Sequence, residues 1–242
     1  MTAKRSLKGR LARDYFPALL QPFLRFLTLP LSDRTKMLVT FDFLRASARR
    51  RMPKRVVPAA SQLHVGCGAR RVPEFLNVDV AGSELDIDLA SGDLPFPDAT
   101  FTAVVSQHVI EHLELQTELL PLLRDIHRVM KPGAEIWLSC PDMSTVCRLY
   151  VDGRAQTLVD DRRSRWPSYS LNGTPAQHFV NDLFHQHGEH QNLFDFELLS
   201  WALRTAGFHN IEKKTDGDLL NRFPQFPSRN DDLQTLLVRA TP

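Results

Sequence analysis

Cysteine is scarce in this chain, with only Cys67, Cys140 and Cys147 among 242 residues. Three cysteines without a CxxC pair provide neither an even disulfide framework nor a cysteine-based zinc site. We also find no internal repeat and no low-complexity tract. A disulfide scaffold is therefore excluded, and we expect a protein of the reducing cytoplasm.

A long hydrophobic run is also absent. The apolar stretch at residues 16–31 is broken by three prolines, a glutamine and an arginine, so it is too short and too interrupted to span a bilayer. It also lacks the small-residue cleavage site of a secretory signal. Because 43% of the residues are hydrophobic and 24% are charged, the chain has an ordinary globular composition that can bury a full core.

The charges are unevenly distributed, although the net charge is only +2. Residues 1–60 contain 14 Lys and Arg against 3 Asp, so a basic arm precedes an acidic domain. We divide the chain into a basic, partly apolar helical extension at 1–58 and a domain at 59–242. Within the domain, residues 146–192 show little periodicity and are predicted to form an irregular insertion or lid.

Two interpretations of the arm remain open. Its apolar residues at 16–27 could insert into the inner face of a membrane while the basic residues face anionic lipid. Alternatively, they dock on the domain, and the basic run at 49–55 is a solvated linker. We expect no nucleic acid partner, because no aromatic residues interleave with the basic run to form a stacking platform.

Strands alternate with helices from residue 59 onward, which indicates an α/β fold with a mostly parallel sheet. The predicted strands are 62–65, 76–80, 102–106, 134–139, 208–213 and 233–240. An apolar period of three and four over 119–130 predicts a helix that begins or bends at Pro121. A second amphipathic pattern at 196–206 predicts a helix that is closed by Gly207.

The most informative segment follows the first predicted strand. Gly66-Cys67-Gly68 forms a glycine turn, and Asp79 stands near the end of the next predicted strand. Glycine lets the backbone approach a ligand closely, and an acid at this distance accepts hydrogen bonds from ribose hydroxyls. Strand, glycine turn, strand and acid together indicate that the sheet holds an adenosine.

Further segments follow in an order and spacing that resemble the Rossmann-like (class I) S-adenosylmethionine-dependent methyltransferases. They are Val65-Gly66-Cys67-Gly68, Asn77-Val78-Asp79, Asp88-Leu89, residues 94–101, His108-Val109-Ile110-Glu111-His112-Leu113 and Arg128-Val129-Met130-Lys131-Pro132-Gly133. Within that superfamily, the chain is most similar to small predicted methyltransferases associated with bacterial polysaccharide or glycolipid synthesis. These proteins share a later pattern, which reads here as His190, Phe194-Asp195-Phe196, Leu199 and Ala206-Gly207-Phe208.

The resemblance covers about residues 60–240 and implies a seven-stranded, mostly parallel sheet with helices on both faces and a shortened first helix. It implies S-adenosylmethionine as cofactor and O-methylation of a sugar or glycolipid intermediate by in-line methyl transfer. Asp79 would then bind the ribose, and Asp88 with the amide of Leu89 would bind the adenine. The residues expected around the cofactor are Val65, Gly66, Cys67, Gly68, Asp79, Val80, Asp88, Leu89 and His108.

The chain departs from the family pattern at two positions. His64 stands where these enzymes usually carry an acid, and Arg70 stands where they often carry a third glycine. The short connection at 69–75 cannot hold a full first helix, so the methionine end of the cofactor must be held differently. Arg70 or Arg71 could pair with its carboxylate; alternatively, both are simply exposed.

Methyl transfer to an alcohol benefits from a general base. His108 follows the middle strand, where open α/β sheets bind ligands, and is the first candidate; cofactor packing without proton transfer is the alternative. His190, within the insertion, is the second candidate. Asp142, which follows the next strand, is the third unless it caps a helix.

The spacing His185-x-His187-x-x-His190 is compatible with a metal ion, since imidazoles bind zinc and other transition ions. No acid or cysteine completes a recognisable spacing, so we expect no metal centre. We expect instead that these histidines bind a hydroxylated substrate or form internal hydrogen bonds.

Two other functions remain open. The enzyme could methylate another small molecule, such as a quinone or lipid precursor, or the chain could be a cofactor-binding scaffold without turnover. A nicotinamide dehydrogenase is disfavoured, because Ala69-Arg70-Arg71 follows the glycine turn instead of a helix start. A nucleic-acid methyltransferase is disfavoured as well, because Ser106-Gln107-His108-Val109 stands where an Asn-Pro-Pro-Tyr-like segment would be needed.

Overall fold

The computed structural model describes residues 32–242, except for the side chains of Asp33, Arg34 and His187. The apolar residues at 16–27, for which two kinds of contact were predicted, lie outside the described part of the chain. Within residues 32–242, no helix is both long enough and apolar enough to cross a bilayer.

A seven-stranded sheet in the order β3-β2-β1-β4-β5-β7-β6 forms the centre of the fold. Its strands are β1 (Gln62–Val65), β2 (Phe75–Asp79), β3 (Leu85–Asp86), β4 (Phe101–Gln107), β5 (Met130–Pro141), β6 (His209–Lys214) and β7 (Thr235–Thr241). β7 runs antiparallel to β5 and β6, and the other adjacent pairs are parallel. The predicted mostly parallel sheet is confirmed, with the strand that leads to His108 in its middle.

Helices cover both faces of this sheet. Those of the described residues are α1 (Asp33–Arg51), α2 (Leu120–Val129), α3 (Met143–Val151), α4 (Ala155–Arg165), α5 (Gln177–His185), α6 (Phe196–Thr205) and α7 (Asp216–Arg222). Leu63 and Val65 of β1 join the main apolar cluster beneath α2 and α6, whereas Val105 and Trp137 pack on the other face against Phe223, just after α7. Because side chains alternate along a strand, the apolar strands are buried on both sides.

The N-terminal helix α1 packs on the domain through one side. Its buried residues, spaced four apart, are Thr40, Leu44 and Ala48. Spacing of four places them on one stripe of the helix. Arg45 and Arg49, also one turn apart, both bind Asp88. The basic run at 49–55 is therefore not simply a solvated linker, since its first residue lies in α1 and contacts the domain.

The connection between β1 and β2 holds no helix at all, where a shortened first helix was predicted, and Asn77 organises its backbone instead. The side-chain amide of Asn77 donates to the carbonyl oxygens of Val72 at 2.9 Å and Phe75 at 3.0 Å. Its side-chain oxygen accepts from the N–H of Val72 at 2.8 Å. One buried side chain thus satisfies backbone groups that would otherwise need partners within a longer connection.

His64 supports the same connection. It is 2% exposed, its Nδ1 lies 3.1 Å from the side-chain oxygen of Asn77, and its ring meets Phe226 edge-on at 5.0 Å. Because an amide oxygen can only accept, Nδ1 carries the hydrogen. His64 therefore occupies the position of the family's acid for a structural reason, since its side chain packs into the sheet face beside α7.

Arg128 fastens the loop that precedes β4. Its guanidinium donates to the carbonyl oxygens of Leu94 at 3.1 Å and Phe96 at 2.8 Å and to the carboxylate of Asp98 at 2.7 Å. Asp125 orients the guanidinium from 2.6 Å, one turn earlier in α2. Two of the segments that resemble the family, residues 94–101 and 128–133, are therefore bonded to each other through Arg128.

Residues 146–192 are largely helical, and the prediction of irregular structure was wrong. The helices α3, α4 and α5 occupy most of this segment, and their apolar side chains form a separate cluster around Leu158 and Phe179. Apolar residues at a spacing of three and four do occur, as with Ala155, Leu158 and Val159 in α4, but each pattern covers only about one turn and was therefore missed. That the segment is an insertion or lid stays a prediction.

We expect His64 to make the fold sensitive to acid. Burial lowers its pKa from 6.5 to about 4, so between these values the unfolded chain binds a proton that the folded protein excludes. Above pH 6.5, His64 is neutral in both states and does not destabilise the fold. As the pH falls towards 4, the free energy of unfolding decreases by roughly 3 kcal/mol, because the unfolded chain gains a proton on His64. Urea unfolding followed by circular dichroism at pH 7 and pH 4 measures the loss.

The His64→Gln variant should lose correspondingly less unfolding free energy over the same interval, since glutamine keeps a donor but cannot be protonated. His209→Gln, at an exposed histidine, is the matched control and should behave as the wild type. Equal losses in the wild type and in His64→Gln would contradict the prediction.

Candidate functional site

The glycine turn lies where β1 ends, and Asp79 reaches it from the end of β2. The N–H of Gly68 donates to Oδ2 of Asp79 at 2.7 Å, and the N–H of Val80 donates to Oδ1 at 2.6 Å. The parallel register pairs Val65 with Val78, so the carboxylate that follows Val78 stands beside the turn. Each oxygen keeps a further lone pair that could accept another hydrogen bond, and the ribose contact of Asp79 stays a prediction.

The two glycines serve different purposes. A Cβ added to Gly66 would lie 2.2 Å from Cγ2 of Val109, so Gly66 allows the turn after β4 to rest directly on the turn after β1. A Cβ added to Gly68 would meet no atom within 4 Å, so open space adjoins this residue. Open space at Gly68, bordered by the Asp79 carboxylate, fits a nucleoside cofactor.

The other side chains around the turn are not poised for reaction. Burial raises the pKa of the Cys67 thiol to about 12, with the nearby Asp79 charge acting in the same direction, so the thiol stays protonated and inert. Burial also raises the pKa of Asp79, against its two N–H donors. Arg71 donates to the carbonyl oxygen of Gly82, and Arg70 is exposed. The predicted pairing of either arginine with the cofactor's carboxylate stays a prediction.

Asp88 is covered by α1. Its carboxylate is bound by Nε of Arg45 at 3.1 Å and by Nε of Arg49, and its Oδ1 also accepts from the N–H of Ala90 at 3.2 Å. The Asp88 side chain is only 3% exposed, and Leu89 is buried in the 3-10 turn that Asp88 caps. The carboxylate is thus committed to the docking of α1, and the adenine contact predicted for Asp88 and Leu89 stays a prediction that this arrangement disfavours.

His108 directly follows β4 and has a strained backbone conformation. Its imidazole ring lies between the carboxylates of Glu111 and Asp231. Its φ is 57°, which is uncommon for a residue other than glycine, and its N–H donates to the carbonyl of Ser139 at 2.9 Å. Nδ1 lies 3.3 Å from Oε1 of Glu111. Nε2 lies 3.4 Å from Oδ2 of Asp231 and 3.2 Å from Oγ1 of Thr235.

The charges around His108 disfavour it as a proton acceptor. Burial lowers the pKa of His108, but the carboxylates of Asp231 and Glu111 outweigh burial and raise the pKa overall. Burial raises the pKa of each carboxyl group, yet the neighbouring His108 lowers both, and Arg229 adds to the effect on Asp231. A protonated imidazole has no lone pair to receive a proton. The alternative stated for His108, packing without proton transfer, fits this geometry better.

Two further histidines, His112 and His190, lie close to each other and to Glu111. Nδ1 of His190 donates to the carbonyl of Leu183 at 2.7 Å, and Nδ1 of His112 lies 3.3 Å from the carbonyl of Glu189. The two rings meet edge to face at 4.9 Å. Because a carbonyl can only accept, each Nδ1 carries a hydrogen, and in the neutral imidazole the lone pair is then on Nε2. Burial lowers the pKa of His190, against the nearby Glu111 charge.

Backbone hydrogen bonds hold the two segments of this pair together. The N–H groups of Gln191 and Asn192 donate to the carbonyl of Glu111 at 2.8 and 3.1 Å, and the Asn192 side chain donates to the carbonyl of Leu113. The chain that follows α5 is thereby held on the 3-10 turn that follows β4. The fold thus brings His190 from the 146–192 segment to the carboxyl end of the sheet.

Asp142 is a helix cap. Its carboxylate accepts from the N–H of Thr145 at 3.4 Å and from Oγ1 of Thr145 at 2.9 Å, at the start of α3. Its own N–H donates to the carbonyl of Gln234 at 2.8 Å. The structure therefore supports the alternative that we stated for this residue, and Asp142 is not placed as a base.

Sequence reasoning missed the partners of several site residues. Asp231 and Thr235 flank His108 from more than a hundred residues away, and Arg45 reaches Asp88 from the arm. No local spacing relates these pairs. A signal existed only for Glu111 and His112, which stand in a segment that resembles the family, but nothing in that segment indicated a contact with the distant insertion.

Residues 78–138, about a quarter of the chain, match the family described as "Methyltransferase domain". No curated protein matches the chain. Among solved structures, the chain is similar to the putative methyltransferase in complex with the Haloferax volcanii Trm112 methyltransferase activator, with 16% identity, a TM-score of 0.44 and coverage of 82% of this chain and 89% of the other.

Two further solved structures show the same degree of similarity. A possible histamine N-methyltransferase from Thermotoga maritima has 16% identity and a TM-score of 0.43, covering 92% of this chain and 99% of the other. An S-adenosylmethionine-dependent methyltransferase from Mesorhizobium loti has 16% identity and a TM-score of 0.38, covering 81% and 96%.

The matched segment contains β3 and β4 and reaches into β2 and β5, so it includes the strand end at Asp79 and the turn at His108. Together with the strand order, the match indicates an S-adenosylmethionine-dependent methyltransferase. S-adenosylmethionine is its methyl donor.

We expect Asp79→Ala to weaken the binding of S-adenosylhomocysteine by about 1–3 kcal/mol, because the ribose hydroxyls lose a buried acceptor. Calorimetric titration measures the affinity, and thermal unfolding monitored by circular dichroism checks the fold. Asp93→Ala, at an exposed acid in a nearby loop, is the matched control and should bind as the wild type. Equal affinity in Asp79→Ala would remove this residue from the ribose role.

Unlike Asp79→Ala, the Asp88→Asn variant should lose stability and keep its affinity for the cofactor. Loss of its charge should lower the unfolding free energy by about 1–3 kcal/mol, since two guanidinium groups lose a buried ionic acceptor. The affinity for S-adenosylhomocysteine should stay at the wild-type value. Asp42→Asn, at an exposed acid of α1, controls for the change of charge. A variant of wild-type stability with weakened cofactor binding would instead support the adenine contact.

Proposed function

We propose that the protein O-methylates a sugar or glycolipid intermediate. The observation that carries this proposal is the position of His190, whose segment is bonded to the turn after β4. Open α/β sheets bind ligands beyond the carboxyl ends of their strands. An alcohol is a weak nucleophile that benefits from a base, and the imidazole of His190 is the group that would take the proton of the acceptor hydroxyl.

In this proposal the cofactor lies over the glycine turn. Asp79 accepts hydrogen bonds from the ribose hydroxyls, and Gly66, Cys67 and Gly68 border the sulfonium end. Val65 and Val80 flank this crevice at the ends of their strands. Bound S-adenosylmethionine supplies a methyl group that is already activated by its sulfonium, so the chain mainly has to align the acceptor and exclude water.

The residues on the acceptor side have distinct tasks. The carbonyl of Leu183 holds the hydrogen of His190 on Nδ1, so Nε2 can take the proton of the hydroxyl. His108, held between Glu111 and Asp231, positions the turn after β4 rather than accepting a proton. The 146–192 segment, which has an apolar cluster of its own, serves in this proposal as a cover that keeps water out.

The proposal also includes the location of the reaction, in the cytoplasm and at the membrane surface. A lipid-linked or anionic acceptor is compatible with the basic extension at 1–58, which would contact the inner face of a membrane. All three cysteines are free, which supports a cytoplasmic location.

We expect His190→Ala to lower kcat by about 10²–10⁴-fold, the usual contribution of a general base, with unchanged affinity for S-adenosylhomocysteine. Transfer of tritiated methyl from S-adenosylmethionine to free oligosaccharides and to lipid-linked saccharides measures turnover. Calorimetry measures the cofactor affinity of the same preparation.

His178→Ala is the matched control, because His178 lies in the same segment but is exposed and pairs with Asp182 at 3.6 Å. It should retain wild-type turnover. Methylation of phenols or quinone precursors without any methylation of saccharides would overturn the proposed substrate class and favour the small-molecule alternative.

A further inference from the structure

We propose that Glu111, His112 and His190 bind a divalent transition-metal ion such as Zn²⁺. Each residue offers one ligand atom, and within the described residues these atoms lie within 4.8 Å of one another. Two imidazoles and one carboxylate form a donor set that suits zinc and related ions, whereas magnesium and calcium prefer oxygen alone. Three protein ligands also leave a position open for a further ligand.

The carboxylate of Glu111 is the first observation that points to a cation. Glu111 is 1% exposed, and its Oε1 is 3.3 Å from Nδ1 of His108. Its Oε2 is buried and has no hydrogen-bond partner. A buried carboxylate oxygen without a partner is costly and rare in folded proteins. A metal ion at this oxygen would supply both the missing partner and the opposing charge.

The two histidines are the second observation, because they are already oriented as metal ligands are. Each holds its Nδ1 hydrogen towards a backbone carbonyl, at 2.7 Å for His190 and 3.3 Å for His112. Metal-binding histidines almost always use the other ring nitrogen in this way, which fixes the tautomer. In the neutral imidazole, each Nε2 therefore carries the lone pair that can bind an ion.

The backbone around the three residues is preorganised. The carbonyl of Glu111 accepts from both Gln191 and Asn192, so the ligands on the two segments cannot separate without breaking these bonds. Zinc–ligand bonds of about 2.0–2.2 Å place ligand atoms roughly 3–4 Å apart, so the site needs only a small contraction to close on an ion. The ion would join the 146–192 segment to the edge of the sheet.

The catalytic consequence rests on the proposed function. An open coordination position would bind a hydroxyl oxygen of the acceptor and lower the pKa of that hydroxyl, so that its proton passes to solvent water. The oxygen would then attack the sulfonium methyl group, and S-adenosylhomocysteine would leave with the electron pair of the broken carbon–sulfur bond. In the metal-bound protein, Nε2 of His190 is then a ligand, and the ion takes over the activation that His190 would otherwise perform as a base. The proposed metal site is thus consistent with an acceptor that is methylated on oxygen.

The test uses the full chain without an affinity tag, stripped of metal by a chelator and dialysed. Titration with Zn²⁺ by calorimetry should show one ion bound per chain, and Mg²⁺ should not bind in the same range. Titration with Co²⁺ should produce visible absorption bands that report coordination by imidazole nitrogen.

Glu111→Gln and His190→Ala should each weaken Zn²⁺ binding by at least about tenfold. His178→Ala should bind as the wild type, because its histidine lies in the same segment but outside the cluster. Thermal unfolding of each variant checks the fold, and the wild-type titration stands independently of the variants.

Absence of Zn²⁺ binding in the wild type, or unchanged binding in both variants, would overturn the metal site. The two proposals fail separately. A protein that methylates saccharides but binds no Zn²⁺ overturns only the metal site, and one that binds a single Zn²⁺ but methylates no saccharide overturns only the proposed function.

Discussion

The contact between Gly66 and Val109 is the constraint on which the arrangement of the site depends. Because Gly66 has no side chain, the turn after β4 rests directly on the turn after β1. This contact places His108 and the 3-10 turn that follows it beside the glycine turn. The positive φ of His108 is maintained there by a backbone hydrogen bond and by acceptors at both ring nitrogens. One residue without a side chain thus sets the distance between the turn after β1 and the turn after β4.

The second organising element is the bonding of the 146–192 segment to that same turn. Three helices with an apolar cluster of their own form a stable unit, and the chain that leaves this unit is bonded to the carbonyl groups of Glu111 and Leu113. A polar cluster of one carboxylate and two imidazoles results, in which each imidazole already has its Nδ1 partner. Because these side chains are already oriented, less free energy is lost in ordering them when a ligand binds.

Much of the fold was predictable because its signals are local. β1 has its predicted limits, and Pro121 lies in the first turn of α2, as the helical pattern indicated. Asp79 could be placed for the same reason, since the end of β2 must lie beside the turn after β1 in a parallel pair. Asp88 and Asp142 show the limit of this reasoning. Both stand at strand ends, but one binds the arginines of α1 and the other caps α3, and their local sequence does not distinguish these roles from ligand binding.

By itself, the sequence determined the succession of strands and helices, the glycine turn with its acid, and hence the class of cofactor. These features depend on residues close together in the chain and on the repeating geometry of a parallel sheet. Only the tertiary structure decided which titratable groups share a site. Glu111 and His190 belong to segments far apart in the chain, and the free energy of a buried carboxylate or imidazole depends on the groups around it, which are known only once the chain is folded.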